Sequence, residues 1–147
     1  MSQKTKKSGF SLIEAMVAMA IMGISFVGVY TLTGYASNSL KNSSDRQKMQ
    51  IIANVMLEAI EIDYANIDNY NNMDFTTCVA PGNGQTQTYH QNRYKWCRML
   101  NDAVGTPATG DIRNIRVTTS GTNKNVRIFL ESRKKNAQIV TNRVYGS

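Results

Sequence analysis

Between Ala15 and Leu40 the chain runs for 26 residues without a charged side chain. A helix that crosses a bilayer needs roughly 20 apolar residues, and this stretch meets that length. It follows a segment holding Lys4, Lys6 and Lys7 and no acid. Lysines before a span and a long chain after it predict an N-terminus inside and the residues beyond about 35 outside. The mean hydropathy of the chain is slightly negative, which excludes several spans. The apolar residues are therefore concentrated in one anchor, and a polar remainder of ordinary single-domain size follows it.

One acid, Glu14, sits at the start of the apolar run. A carboxylate at the bilayer centre costs about 2.5–3.5 kcal/mol on insertion scales, so it needs a partner or a place near the interface. A cleaved secretory signal could use Ala18-Met19-Ala20 as its small-residue site. That reading puts Glu14 inside the apolar region and leaves the run continuing past the cut. A plain uncleaved anchor explains the length and the flanks but not Glu14.

The segment Lys6-Lys7-Ser8-Gly9-Phe10-Ser11-Leu12-Ile13-Glu14 resembles the prepilin cleavage motif of type IV pilins and type II secretion pseudopilins. That pattern is a short basic leader ending in Gly, then Phe-Thr/Ser-Leu-Ile/Leu-Glu and about 20 apolar residues. Ser11 stands where Thr is usual. The resemblance covers residues 6–40. It implies cutting by prepilin peptidase between Gly9 and Phe10 and N-methylation of the new Phe10 terminus. Net charge would then fall from +7 to +4. The resemblance also implies that Glu14 pairs with the Phe10 amine of a neighbouring subunit, whereas the bland reading leaves Glu14 at the interface beside Lys6 and Lys7. The expected organisation is a leader over 1–9, a transmembrane and filament-core helix over 10–35, and a periplasmic or extracellular head over 36–147.

Gly23, Gly28 and Gly34 interrupt the apolar helix. They either allow close helix packing or are ordinary membrane-helix glycines. Met49, Ile52, Ala53, Met56, Ile60 and Tyr64 then recur at helical spacing and predict an amphipathic helix over about 45–65. The polar stretch Asn38–Ser44 could break the helix, but it contains no proline, so one helix over about 10–65 is the alternative. The many methionines read as membrane and core packing rather than as a metal site.

Asp68–Asp74 and Ala80–Gln87 read as turns and loops. Cys78 and Cys97 flank 18 residues, so they form neither a C-x-x-C redox pair nor a zinc site, and outside the cytoplasm they predict a disulfide. A short helix is expected over 91–104, ended by the loop Thr106–Gly110. Ile115, Val117 and Thr119, then Val126, Ile128 and Leu130, alternate like strands. A looser third strand carries Ile139 and Val144. Ser120–Asn123 and Arg133–Asn136 are the expected turns. The fold class is α+β: a long N-terminal helix, membrane-spanning first and amphipathic second, on a small antiparallel sheet. A weaker resemblance links Trp96-x3-Leu100 and the Pro107/Gly110 loop to minor pilins of the PilV type.

Charge is segregated along the chain. Residues 41–92 hold 3 basic and 6 acidic side chains, and residues 93–147 hold 11 basic and 3 acidic. The basic half, with Tyr94 and Trp96 in it, could contact nucleic acid. No groove-reading motif is present, and solvated strand faces or contacts with acidic subunits explain the same charges. No catalytic residue and no metal or cofactor site is expected. The lone His90 has only polar neighbours, so an anchored enzyme is the weakest reading. Taken with the resemblance, the expectation is a minor pilin that works by assembly and partners other pilin subunits through its N-terminal helix. Its inner-membrane span would have a cytoplasmic N-terminus, and the protein would pass to the pilus surface on assembly. A minor pseudopilin of a type II secretion system, and a DNA-binding pilin in DNA uptake, are the alternatives.

Overall fold

A computed structural model of the chain describes residues 11–132 and 137–146. It divides into two compact units, residues 1–40 and 41–147. Helix α1, Leu12–Ile62, runs without interruption through both the glycines and the polar stretch Asn38–Ser44. The absence of proline lets every backbone N–H in that stretch keep its helical acceptor. A Cβ added at Gly23, Gly28 or Gly34 would meet nothing within 4 Å.

In the second unit, α1 buries Met49, Ile52, Ala53, Met56, Leu57 and Ile60, spaced at three and four residues. Each large side chain in this stripe contributes roughly 1.5–3 kcal/mol by leaving water. The helix ends at Ile62, three residues short of the predicted limit, and a 3-10 helix, Tyr64–Tyr70, takes over. Tyr70 donates its hydroxyl to Asp63 at 2.8 Å, which ties the two ends of that turn together. Part of the expected Asp68–Asp74 loop is thus ordered structure.

The sheet has four antiparallel strands in the order β1-β2-β3-β4, not three. They are β1, Met73–Asp74; β2, Arg113–Ser120; β3, Asn123–Ser132; and β4, Ala137–Tyr145. The additional strand is two residues long, with Met73 opposite Ile115. Where β1 has not yet begun, the Asn71 side chain accepts the Val117 N–H at 3.0 Å, so the open edge of β2 stays hydrogen-bonded. Gly121 begins the two-residue turn between β2 and β3 at φ +62, a conformation that glycine reaches without a Cβ clash. The second expected turn, Arg133–Asn136, lies outside the described residues.

Ile115, Val117, Val126, Ile128 and Leu130 face the core as the alternation predicts, whereas Thr119 is exposed near the end of β2. In β4 the inward face is Ala137, Ile139 and Tyr145, and Val144 points the other way, 59% exposed. The period of two explains this: Ile139 and Val144 are five apart and cannot share a face. Tyr145 fills the position instead and donates its hydroxyl to the Leu57 carbonyl at 2.7 Å, joining β4 to α1.

Helix α2, Thr88–Val104, starts three residues before the predicted 91 and stops at Gly105, φ +88, whose N–H bonds the Asn101 carbonyl at 2.9 Å. Its Trp96 packs against Tyr70 at 5.7 Å and against Phe75 at 5.9 Å. One continuous apolar cluster therefore joins α1, α2 and the sheet.

Candidate processing and assembly site

Gly9 and Phe10 lie outside the described residues, as do Lys4, Lys6 and Lys7. The described residues begin at Ser11, whose hydroxyl oxygen accepts the Glu14 N–H at 3.3 Å. The Ser11 carbonyl accepts the first helical bond, from Ala15, at 3.2 Å. Ser11 is therefore the N-cap of α1, and Ser11-Leu12-Ile13-Glu14 has the S-x-x-E order of a capping box. An N-cap hydroxyl is typically worth about 1 kcal/mol. The Glu14 carboxylate also faces the positive end of the helix dipole, a further 0.3–1 kcal/mol or so. Sequence reasoning treated Ser11 only as a variant of Thr. The spacing from Ser11 to Glu14 was the signal for its capping role.

Past Glu14 the first unit is an exposed apolar rod: Phe26 is 81% and Tyr30 82% accessible. The helix is long and apolar enough to cross a membrane. Three of its hydroxyls are satisfied from within. Ser25 donates to the Ile21 carbonyl at 2.8 Å, Thr31 to Val27 at 3.0 Å, and Thr33 to Val29 at 2.8 Å. Such back-bonding to the preceding turn is how a hydroxyl avoids standing unpaired in hydrocarbon.

In the head, Cys78 and Cys97 form a disulfide, with Cα atoms 5.3 Å apart. It pins the loop before α2 to the helix beside Trp96. Asn101, one turn further on, donates its side-chain amide to the Cys78 sulfur at 3.2 Å.

Two ion pairs join the basic half of the chain to the acidic half. Lys124 of the basic half meets Asp68 of the acidic half at 2.7 Å, and Arg143 meets Glu61 at 2.9 Å. These exposed pairs are each worth about 0–1 kcal/mol. Arg113 departs from the expectation of solvated strand faces, because it is buried on the inward side of β2. Its guanidinium donates to the Asn101 side chain at 2.9 Å and to the Gly105 carbonyl at 2.8 Å, and it lies 3.9 Å from Asp111. The planar fork of arginine suits this divergent set of acceptors. Burial lowers the Arg113 pKa, and the Asp111 charge opposes that shift. Burial raises the pKa of the Tyr70 and Tyr145 hydroxyls, and at Tyr70 the bond to Asp63 adds to the effect.

On the outer face, Arg116 and Arg127 sit directly opposite each other, and Arg127 lies 5.9 Å from the Phe129 ring. His90 is half-buried with its ring 4.3 Å from Tyr89. Among the described residues no three His, Cys, Asp or Glu side chains gather where they could hold a metal ion.

A family model for the prokaryotic N-terminal methylation motif matches residues 4–30. Among curated proteins none matches the chain. No solved structure matches it either. The match stops short of the head, so the PilV-type resemblance of residues 96–110 gains nothing from it. The methylation motif, leading into a capped helix long enough to span a bilayer, supports placing the chain in the type IV pilin and pseudopilin superfamily.

Proposed function

We propose that the chain is a minor pilin subunit of a type IV pilus. The observation that carries this is the methylation motif over residues 4–30, with Ser11 capping an apolar helix directly after the Gly9–Phe10 bond. In this reading prepilin peptidase cuts after Gly9 and methylates the Phe10 amine. Residues 10–35 hold the subunit in the inner membrane, with the N-terminus cytoplasmic and the head periplasmic. The subunit then leaves the membrane for the filament, where it helps to start assembly or stands at the tip. Glu14 pairs with the Phe10 amine of a neighbouring subunit. An exposed carboxylate in the first turn of α1 suits that role, because the amine of a neighbouring subunit can reach it. The PilV-type assignment rests on Trp96 and Leu100, both buried on one face of α2, and on the Pro107–Gly110 loop leading into β2.

Mass spectrometry of the protein expressed with prepilin peptidase tests the processing. A mature N-terminus at methylated Phe10 is expected, and a chain still beginning at Met1 sinks the reading. Replacing Glu14→Val should leave membrane insertion intact and abolish entry into filaments. Normal incorporation of that variant would remove the pairing role. Genes adjacent to this one separate a pilus from a secretion system.

A further inference from the structure

The segment after the 3-10 helix and the first turns of α2 enclose an open cleft of about 250 Å³. Asn69, Asn72 and Asp74 line it from one segment, and Tyr89, His90 and Arg93 line it from the other. Much of this polar lining is not used by the fold. Arg93 donates through Nε to the Asp74 carbonyl at 3.1 Å. Its two terminal nitrogens have no protein acceptor among the described residues. The Asn69 and Asn72 side-chain amides likewise have no protein partner there. The Asp74 carboxylate accepts the Thr76 N–H and hydroxyl at 2.7 and 2.9 Å, which fixes its orientation and leaves lone pairs over.

Asn72 adds a second observation. It is the one non-glycine among the described residues with positive φ, at +58. A glycine would hold that conformation with less strain. Asparagine adopts this region more readily than most residues with a side chain, so the turn places a polar side chain on the cleft at modest cost.

The chemistry of the lining selects the ligand. An anion would meet the Asp74 carboxylate, and a cation would meet the Arg93 guanidinium. A neutral ring carrying several hydroxyls suits both. Its hydroxyls can donate to Asn and Asp oxygens and accept from Asn and Arg nitrogens. Its apolar face can lie on the Tyr89–His90 pair, whose ring centroids are 4.3 Å apart. We propose that this cleft binds one hexose unit of a neutral saccharide. The inference uses residues 69–93 alone and stands apart from the assembly reading.

The test uses the full chain in an amine-oxide detergent, because glycoside detergents would compete. Glucose, galactose, mannose and N-acetylglucosamine are titrated by saturation-transfer NMR, with glucuronate as the charged control. Saturable binding of at least one neutral sugar below about 50 mM is expected. Asn72→Gly should keep the melting temperature, since glycine suits φ +58, and weaken binding about fivefold through one lost hydrogen bond. Asn69→Ala should weaken it similarly. No binding of any neutral sugar overturns the proposal. So does binding of glucuronate alone, or binding of a neutral sugar that both variants leave unchanged.

Discussion

Replacing Arg113→Met should cost the head about 3–5 kcal/mol. The guanidinium is buried to 1% accessibility, beside an Asp111 side chain that is equally enclosed. Methionine keeps the volume and the apolar stem but donates nothing. Asp111 then loses the guanidinium beside it and keeps the Ala108 N–H, and the Asn101 oxygen and the Gly105 carbonyl each lose this donor. Breaking a buried pair from one side costs about 3–5 kcal/mol, and each orphaned acceptor costs about 1–3 kcal/mol where water cannot reach it. The broken pair alone sets the expected loss, because removing the guanidinium opens the site and water then hydrates the two acceptors. Arg113→Lys should fall between, at about 1.5–3 kcal/mol, because an ammonium keeps the charge but cannot fork to both acceptors. The assay is thermal or urea unfolding of the full chain in detergent, followed by the fluorescence of Trp96. It is the single tryptophan, is 1% exposed, and lies on the same helix as Asn101. For a head of this size the Met variant should lower the midpoint by on the order of 15–25 °C. A loss under about 1 kcal/mol, or a Lys variant as stable as the parent, would falsify the view that this network holds α2 to the sheet.

Further outcomes follow from the same contacts. The Tyr70 and Tyr145 hydroxyls have pKa values raised above 10.0, so their stabilisation is complete below pH 10. Above that pH the unfolded chain ionises first, and stability should fall, with Tyr70 alone contributing up to about 1.4 kcal/mol per pH unit. Melts at pH 9, 10 and 11 should show a shallower fall in Tyr70→Phe, and an unchanged slope there would refute the assignment. Reducing the Cys78–Cys97 disulfide should lower head stability by roughly 3 kcal/mol for a loop of this length, read as a drop in melting temperature with added thiol. Gly121→Val should cost about 1–2 kcal/mol, because φ +62 drives a Cβ against the backbone; an unchanged midpoint would show that the turn can relax.

The elements that could be read from the sequence were those written in a repeating period. The α1 stripe from Met49 to Ile60 and the alternation in β2 and β3 both extend over enough residues for spacing to speak. β1 is two residues long, too short to show any period. The first residues of α2, Thr88 to His90, lie outside the helix expected from the sequence, although they are helical. Arg113 was legible in principle, since it sits two before Ile115 and four before Val117 on the same face. Its charge argued for solvent, and only the nearby Asn101, Gly105 and Asp111 make burial tolerable. At the processing site the motif was plain, whereas Ser11 as a helix cap needed the backbone geometry. The saccharide cleft was not legible, because its two walls come from residues 69–74 and 89–93, which share no local pattern.

The hydroxyls of the anchor helix have a consequence for transport. Ser25, Thr31 and Thr33 carry their acceptors with them, on the preceding turn of the same helix. When such a helix moves from lipid into a bundle of like helices, these groups need no water and no new partner. Nothing polar among them has to be unbonded at the crossing. Van der Waals packing of the apolar side chains is then left to drive the association. In the proposed passage from membrane to filament, these three hydroxyls would add little to the barrier.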